Sequence, residues 1–263
     1  MIKPRWGCLG LGAILMVALH ANADPEPEPK PAAKDLPADV EAKPAIDPAK
    51  LADSATLRAT DARNHKASSK NLKQIALAVH NYASAENAAL PANVTDKAGK
   101  PLLSWRVLLL PYVGEKALFG KFKLDEPWDS KHNFALVEKM PKVFESPRVT
   151  VKRKGYTVYQ VFDGPGALYL AGKSKYHISN IPDGTSNTIL AVESSKAVPW
   201  TKPADLPYDV AKPIPDFGKA YGGNPLCAMA DGSVRSLDLK KISTATLKNA
   251  ICPDDGQVLG ADW

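Results

Sequence analysis

The sequence predicts an α+β fold in which one long N-terminal helix is followed by an antiparallel β-sheet with short helices. Two observations support this prediction. After Pro48 the chain runs to about Asn87 with no further proline and no glycine, and its apolar residues recur at the spacing of one helix face. From Lys154 onward, short β-branched and aromatic runs alternate with turn residues such as glycine and aspartate, which is typical of strands.

The long helix has a predicted start and a predicted end. Asp47 can cap the free N–H groups of a first turn, Pro48 fits the first helical position, and Pro91 stops the helix. The polar stretch 64–70 interrupts the apolar stripe, so a bend or break is expected there. The stripe is strong after this stretch, at Leu72, Ile75, Ala76, Val79, Tyr82 and Ala83, and weak before it, at Leu51, Ala55, Ala59 and Ala62.

Four later segments are predicted to be strands, and they cover 155–162, 166–172, 187–194 and 225–239. In the last of them Asp231 and Gly232 stand between two strand-like runs. They predict a tight hairpin turn, because glycine readily accepts the positive φ of a primed turn. This hairpin is the strongest local prediction in the sequence.

The remaining segments predict short helices. Residues 243–251 form the clearest one, with Ser243 as the capping residue. Residues 134–144 predict a helix that ends before Pro141. The apolar run 104–113 is too short to distinguish a helix from a strand.

Residues 1–23 have the pattern of a secretory signal peptide. Lys3 and Arg5 precede the uncharged apolar run 9–19, and a small-x-small motif then ends at Ala23. We therefore predict cleavage after Ala23 and secretion to the periplasm, cell surface or extracellular space. The alternative is an uncleaved N-terminal segment that anchors the chain in a membrane.

The rest of the chain divides into a linker and one domain. Residues 24–47 are rich in proline, glutamate, lysine and alanine, which predicts a disordered spacer, and 48–263 predicts a single α+β domain. The formal net charge of +6 is modest and spread along the sequence, so a nucleic-acid partner is not predicted. The compact basic stretch 152–154 is interpreted as a solvated strand edge.

The cysteines leave two alternatives open. Cys8 lies in the predicted signal, so Cys227 and Cys252 remain, either as a disulfide in an oxidising compartment or as two buried free thiols. The sequence has no CxxC motif and its five histidines are scattered, so no zinc site is predicted. It also lacks the glycine spacing of nucleotide-binding loops, and no cofactor is predicted.

The segment "LDEPWDSKHN", residues 124–133, resembles a catalytic or metal-binding loop. Asp129, Ser130 and His132 offer a base, a nucleophile and a metal ligand, but they are too close in sequence to form a catalytic set on one turn. We favour the interpretation that Asp129 or Ser130 caps the following helix, with Trp128 buried.

A second oxygen-rich segment, "DGTSN", covers residues 183–187. Asp183 and Asn187 are weak candidates for metal ligands, because the longer ligand pattern of a calcium-binding EF-hand is missing. A turn that includes Gly184, with both polar side chains bonding the backbone, is the favoured interpretation. Glu193 lies at the end of the strand that follows, where it can face a partner or be a solvated strand end.

Three tryptophans form a weak candidate for a ligand platform. Trp105, Trp128 and Trp200 can stack on the apolar face of a sugar, but tryptophan more often packs in a core or anchors a loop. We therefore keep the platform as an alternative to packing.

Five stretches of the chain resemble a large family of paralogous planctomycete proteins of unknown function. They occur in the family's order between about Ser68 and Gln257: "SSKNLKQIALAVHNYAS", "LLSWRVLLLPYVGEKALFGKFKLDEPWDSKHN", "IPDGTSNTILAVE", "VPWTKPADLPYD" and "ADGSVRSL". Members of the family are described as pseudopilin-like, and one family name calls them solute-binding. The resemblance implies a pilin-like α+β fold and an envelope location, and it implies no established reaction.

The chain departs from that family in two places. Typical members carry an apolar helical spine fused to the long helix, whereas here a signal-like segment and a proline-rich linker come first. Many members also carry a histidine that is separated by nine residues from the terminal Asp-Gly, and this chain has Tyr221 at that position. The first departure argues against assembly into a pilus-like fibre, and the second removes a side chain with ligand chemistry.

The leading functional hypothesis is a secreted or envelope-associated, non-enzymatic domain with a structural or interaction role at the cell surface. It motivates the expectation of an exposed apolar strip on the long helix between Leu51 and Ala62. The alternative is a solute- or glycan-binding protein that uses its Trp-bearing loops. The third and weakest hypothesis is a hydrolase that uses His132 with a distant acid. The sequence identifies no partner beyond an envelope protein or a glycan.

Overall fold

The computed structural model describes residues 38–42 and 54–263, with side chains from Arg58 onward. Its order of elements is α+β, with a long helix first and antiparallel strands and short helices after it, as predicted. The predicted signal peptide and the predicted helix start at Asp47 and Pro48 lie outside the described residues.

Five α-helices and ten strands make up the described part of the chain. The helices are α1 (Ser54–Ala85), α2 (Trp105–Leu108), α3 (Lys116–Phe119), α4 (Lys131–Phe134) and α5 (Thr244–Ile251). The strands are β1 (Ala38–Ala42), β2 (Val94–Thr95), β3 (Pro101–Leu103), β4 (Val149–Val151), β5 (Tyr156–Gln160), β6 (Phe162–Asp163), β7 (Ile189–Pro199), β8 (Leu206–Pro207), β9 (Leu226–Met229) and β10 (Val234–Ser236). Short 3-10 turns lie at Leu110–Val113, Val137–Lys139, Lys142–Phe144 and Lys219–Tyr221.

Helix α1 is continuous through the polar stretch 64–70, so the expected break is absent. It ends at Ala85, because Asn87 and Ala88 take φ values of 52° and 65° and the Ala88 N–H turns back to the carbonyl of Ala83 at 2.7 Å. The apolar stripe is buried only in the second half, and no side chain between 58 and 67 is buried. The first turns with described side chains therefore extend beyond the core.

The main sheet has six strands in the order β10-β9-β7-β1-β4, with β5 on the other side of β7. All of its pairs are antiparallel. Strand β7 spans 11 residues and is the central element, because β9 and then β1 pair along one of its edges while β5 covers the other. The buried face of α1 packs on this sheet and on the turn Leu110–Val113, and it shares one core cluster with Trp105 and Trp200.

Strand β1 lies inside the segment 24–47, for which the sequence predicts a disordered linker. The amino-acid composition of a segment indicates how much apolar surface the segment can bury. Main-chain hydrogen bonds to a neighbouring strand need no apolar side chains, so the composition does not predict them. At Ala38–Ala42 the chain therefore adds to the sheet despite its linker-like composition.

The C-terminal hairpin is confirmed, with a loop one residue longer than a two-residue turn. The Met229 N–H donates to the Ser233 carbonyl at 2.8 Å, and this pair leaves a three-residue loop, 230–232, between the two residues. Gly232 takes φ +86°, which is the conformation expected of glycine in a three-residue loop that closes with a bulge. Helix α5 is also confirmed, because Ser243 accepts a hydrogen bond from the Thr246 N–H.

Residues 166–172, which the sequence predicts to be a strand, form turns with isolated bridges instead. The backbone explains the difference, because Gly166, Ala171 and Gly172 have φ values of 86°, 51° and 69°, outside the region of a strand. The ambiguous run 104–113 is helical, since Ser104 caps α2 by accepting from the Arg106 N–H. The segment 134–144 is split between the end of α4 and two 3-10 turns, the second beginning after Pro141.

Candidate binding cleft

The loop 124–133 is held together by its own backbone contacts. Ser130, and not Asp129, is the cap of α4, because its hydroxyl accepts from the Asn133 N–H at 3.1 Å. The buried amide of Asn133 donates to the carbonyls of Lys123, Glu126 and Pro127. These bonds give the loop its shape, so the capping interpretation is confirmed.

His132 is exposed at the start of this helix, and its ring forms a hydrogen bond with the backbone. Its Nε2 donates to the carbonyl of Lys121 at 2.7 Å. His177 likewise donates from Nδ1 to the carbonyl of Asn87 at 2.9 Å. Neither contact orients the ring toward an acid or a hydroxyl group, as a general base in a hydrolase requires.

The three candidate tryptophans do not form one platform. Trp105 and Trp200 are 1% and 0% exposed and belong to the core. Their indole N–H groups donate to the carboxylate of Asp205 at 3.1 Å and to the carbonyl of Val137 at 2.9 Å. Only Trp128, which is 7% exposed, borders a cavity.

That cavity is a cleft of about 650 Å³ between the loop that contains α4, the turn before β5 and the end of β7. We call it the Trp128 cleft. Its lining residues are Trp128, Phe134, Ala135, Val137, Glu138, Arg153, Lys154, Tyr156 and Pro199. The residues come from three separate parts of the chain, so the cleft exists only in the folded protein.

The wall of the Trp128 cleft is mainly apolar. The rings of Trp128 and Phe134 lie 6.2 Å apart at 55°, and Phe134 is 37% exposed. Tyr156 and Pro199, which are paired across β5 and β7, also line the cleft. An aromatic or branched apolar group can therefore contact the aromatic rings of the lining.

The rim of the cleft is positively charged. Arg153 lies with its guanidinium 5.9 Å from the ring centre of Tyr156, and its Nη1 donates to the tyrosine hydroxyl at 3.4 Å. Lys154 is exposed beside it, and the Lys202 ammonium lies 5.1 Å from the ring centre of Trp128. Glu138 is the single acidic residue of the lining.

A second cavity of about 410 Å³ adjoins the Trp128 cleft and shares Glu138, Arg153, Lys154 and Tyr156 with it. It continues past Ser146 to β4. The basic stretch 152–154 is exposed directly after β4. Two of its residues, Arg153 and Lys154, line both cavities.

Glu193 is neither solvated nor available to a partner, because it is fully buried on β7. Its carboxylate forms an ion pair with Arg148 and accepts from the Ser68 hydroxyl at 2.5 Å and from the Leu226 N–H at 2.9 Å. Tyr159 also bonds Ser68, at 2.7 Å. A glutamate within an apolar strand was the sequence signal for this cluster, but its partners lie far away along the chain.

Tyr221 closes this buried cluster. Its ring centre lies 4.9 Å from the guanidinium of Arg148, and its hydroxyl donates to the Ser194 carbonyl at 3.4 Å. Burial, and then the charge of Glu193, raise the pKa of Tyr221 and of Tyr159 above the ordinary tyrosine value. The cluster is closed to solvent, which makes it a structural element and not an open site.

A second buried ion pair, which the sequence did not indicate, fixes the loop after β7. Arg106 donates to Asp205 at 2.6 Å, and both side chains are almost fully buried. The same carboxylate accepts from the Trp105 indole and from the Val161 N–H at 3.0 Å. Arg106 also donates to the carbonyl of Tyr159, so the pair joins α2, β5 and the loop around residue 205.

The segment 183–187 forms a turn that bonds the backbone. The Asp183 carboxylate accepts from the N–H groups of Asp255 and Gly256 at 2.7 and 2.9 Å, and the Asn187 amide donates to the Asp183 carbonyl. Gly184 takes φ +92°. Within residues 38–42 and 54–263, no group of three or more histidine, cysteine or acidic side chains is arranged to hold a metal ion.

Cys227 and Cys252 are both buried, and their thiol groups are not joined in a disulfide in the structure. Cys227 lies on β9 with its sulfur 3.8 Å from that of Met229, and Cys252 ends α5 with its thiol 3.7 Å from Asp254. Burial raises the pKa of Cys227 to about 12, so its thiol is protonated at neutral pH.

None of the helices in residues 54–263 combines the length and the apolar composition of a membrane-spanning segment.

Comparison with known proteins matches part of the chain to one family model. No curated protein and no solved structure matches the chain. Residues 61–169, which include most of α1 and the Trp128 loop, match a family described as "Protein of unknown function (DUF1559)". This is the family of unknown function that the sequence motifs resemble, and the first two of the five stretches lie within the matched residues.

Proposed function

We propose that this protein is a non-enzymatic binding domain that acts outside the cytoplasm. Its site is the Trp128 cleft, and its ligand is a small molecule with an apolar ring and an anionic group. The observation that carries the proposal is the size and lining of the cleft. Its volume of about 650 Å³ falls in the range of about 300–1,000 Å³ that is usual for small-molecule sites.

The choice of an anion follows from the charges around the apolar wall. Arg153, Lys154 and Lys202 place three cations at or beside the cleft, against the one carboxylate of Glu138. A carboxylate, sulfonate or phosphate on the ligand therefore meets a favourable local field, whereas a cationic ligand is repelled. The apolar part of the ligand contributes by leaving water for the surfaces of Trp128, Phe134 and Tyr156.

A sugar fits this cleft less well than an aromatic anion. Stacking of a sugar requires an open ring face, but Trp128 is 7% exposed, with Phe134 beside it and the Lys202 ammonium over its ring. Of the two ligand classes that the sequence left open, a solute is therefore preferred to a glycan.

Two further observations support the absence of catalysis and the location. Glu138 is the one acidic residue of the lining, and the nearby His132 ring donates to a backbone carbonyl. A catalytic set requires a base that is oriented by a third group beside the reacting atom.

A location outside the cytoplasm is supported by the sequence of residues 1–23, with its basic start, apolar run and small-x-small motif.

Binding of 8-anilino-1-naphthalenesulfonate, a fluorescent aromatic anion, tests the proposal. Ala135 is an exposed residue of the lining at the C-cap of α4, so Ala135→Trp fills the cleft without disturbing the core. We expect this change to weaken binding at least tenfold. The matched control is Ala62→Trp on the exposed part of α1, which should bind as the unchanged protein does.

The neutral analogue N-phenyl-1-naphthylamine tests the charge requirement separately. It should bind more weakly than the sulfonate. The double variant Arg153→Ala, Lys154→Ala should bind the two compounds with equal affinity. Equal binding of the sulfonate by the Ala135→Trp and Ala62→Trp variants would overturn the assignment of the cleft. Equal binding of both compounds by the unchanged protein would overturn the assignment of the anionic group.

A second proposal, an interaction role at the cell surface, is supported by the exposed part of α1. Ala59 and Ala62 are exposed there, among charged neighbours, and the side chains of Leu51 and Ala55 lie outside the described residues. Replacing both alanines with glutamate should abolish retention of the protein on isolated envelopes. Unchanged retention would remove this surface as the interface.

A further inference from the structure

Strand β1 occupies a slot in the main sheet between two other strands. The register places Ala38 and Asp39 opposite Ala197 and Lys196 of β7. On its other side, Val40, Glu41 and Ala42 lie opposite Val151, Thr150 and Val149 of β4. One five-residue segment therefore bridges two strands that do not pair with each other.

Both neighbours depend on this segment for their main-chain partners. Among the described strands, β4 pairs with β1 alone. Along the same edge of β7, β9 pairs as far as Val192 and β1 takes over at Lys196. Without β1, the edges at Val149–Val151 and around Lys196 would present unpaired N–H and C=O groups, which favour the addition of an extended segment.

The segment has the properties of a strand that can leave and re-enter such a slot. Pro37 precedes it and Pro44 follows two residues after it, and proline has no N–H to extend a ladder. The pairing is therefore confined to Ala38–Ala42. The surrounding sequence is rich in proline, lysine and acidic residues, so little apolar surface is gained beyond the strand itself.

A second copy of the chain can supply the same contacts. Main-chain pairing in this register is the same whether the strand comes from its own chain or from another. Residues 43–53 connect β1 to α1 in the sequence, and a fully extended chain covers about 3.3–3.6 Å per residue. Such a connection is long enough to reach a neighbouring molecule, which is the requirement for strand exchange.

We propose that the slot between β4 and β7 is a strand-docking site, and that two copies of this protein assemble by exchanging residues 38–42. The exchanged strand keeps the register seen within one chain. This inference is independent of the Trp128 cleft, which contains no residue of β1, β4 or the middle of β7.

Single cysteines on separate chains test the exchange. The full-length Val40→Cys chain is mixed with a longer, tagged chain that carries Val151→Cys, both with Cys8→Ser, and oxidised at rising protein concentration. Because Val40 and Val151 are register partners, we expect a mixed disulfide dimer on a non-reducing gel. The yield of this mixed dimer should rise with protein concentration. It should be at least five times the yield of a dimer formed by two copies of the same variant.

The matched control replaces Val151→Cys by Arg153→Cys, which lies two residues beyond the end of β4 and has no register partner in β1. It should give less than a fifth of the mixed dimer. A mixed dimer that forms no better in register than out of register would overturn the proposal. A chain carrying both Val40→Cys and Val151→Cys that forms only an internal disulfide at every concentration would also overturn it, because the strand then stays in its own molecule.

Discussion

Among individual residues, Glu193 is a fully buried acidic side chain that contacts several separate parts of the chain. Its carboxylate has no solvent exposure, and Arg148, Ser68 and the Leu226 N–H together satisfy it. Burying a carboxylate costs more free energy than most single contacts return, unless a charge partner and further hydrogen bonds compensate it. The cluster therefore ties α1, β7 and the residues around Arg148 into one arrangement.

Replacing Glu193 with glutamine should strongly destabilise the protein. Arg148 then loses its charge partner in a site that is mostly closed to water, and removing one member of a buried pair typically costs about 3–5 kcal/mol. Urea unfolding measures the change. The matched control is Glu126→Gln, whose pair with Lys123 is exposed and whose free energy of unfolding should not change measurably. Equal stability of the two variants would contradict this account of Glu193.

At the scale of the element, the short helices depend on their caps. Helix α4 has a single turn, so its capping bond is a large part of what holds it. The bond also sets the position of Phe134 and Ala135, which line the Trp128 cleft. The stretch that looks like a catalytic loop in the sequence thus contributes to the site through its shape.

Ser130→Ala should lower the free energy of unfolding by about 1 kcal/mol, the usual cost of removing an N-cap oxygen. Asp129→Ala is the matched control, since Asp129 is exposed and does not provide the cap. Thermal unfolding of both variants measures the effect. A larger loss for Asp129→Ala than for Ser130→Ala would show that the cap has been assigned to the wrong residue.

The sequence predicted the local elements and missed the arrangements that depend on distant residues. The stripe of α1, the C-terminal hairpin and the Ser243 cap depend on neighbouring residues, and each was predicted correctly. The bond between Ser68 and Glu193 joins residues 125 positions apart, and no periodicity reports it. The Trp128 cleft and the pairing of β1 were missed for the same reason.

At the scale of the whole molecule, several buried groups are stable only in their protonated form. Burial raises the pKa of Cys227 to about 12 and raises the pKa values of Tyr159, Tyr169 and Tyr221 above that of an exposed tyrosine. In the unfolded chain these groups ionise first, at about pH 8.5 for cysteine and about pH 10 for tyrosine. Their contribution to stability is therefore complete below those values and is lost as the pH rises through the folded-state pKa values.

The free energy of unfolding should consequently be lower at pH 10.5 than at pH 8. Urea titrations at the two pH values measure it, and the Cys227→Ala variant should show a smaller decrease because one of the four groups is gone. A free energy that stays constant or rises between pH 8 and pH 10.5 would contradict the assignment of these groups as buried and protonated.

An NMR titration of the tryptophan indole N–H signals tests directly whether the Trp128 cleft is the ligand site. With added 8-anilino-1-naphthalenesulfonate, we predict that the Trp128 signal and the amide of Ala135 shift in a saturable way. The indole signals of Trp105 and Trp200 should stay in place, because those rings are sealed in the core. Saturable shifts that avoid Trp128 and Ala135 and occur elsewhere would contradict the claim.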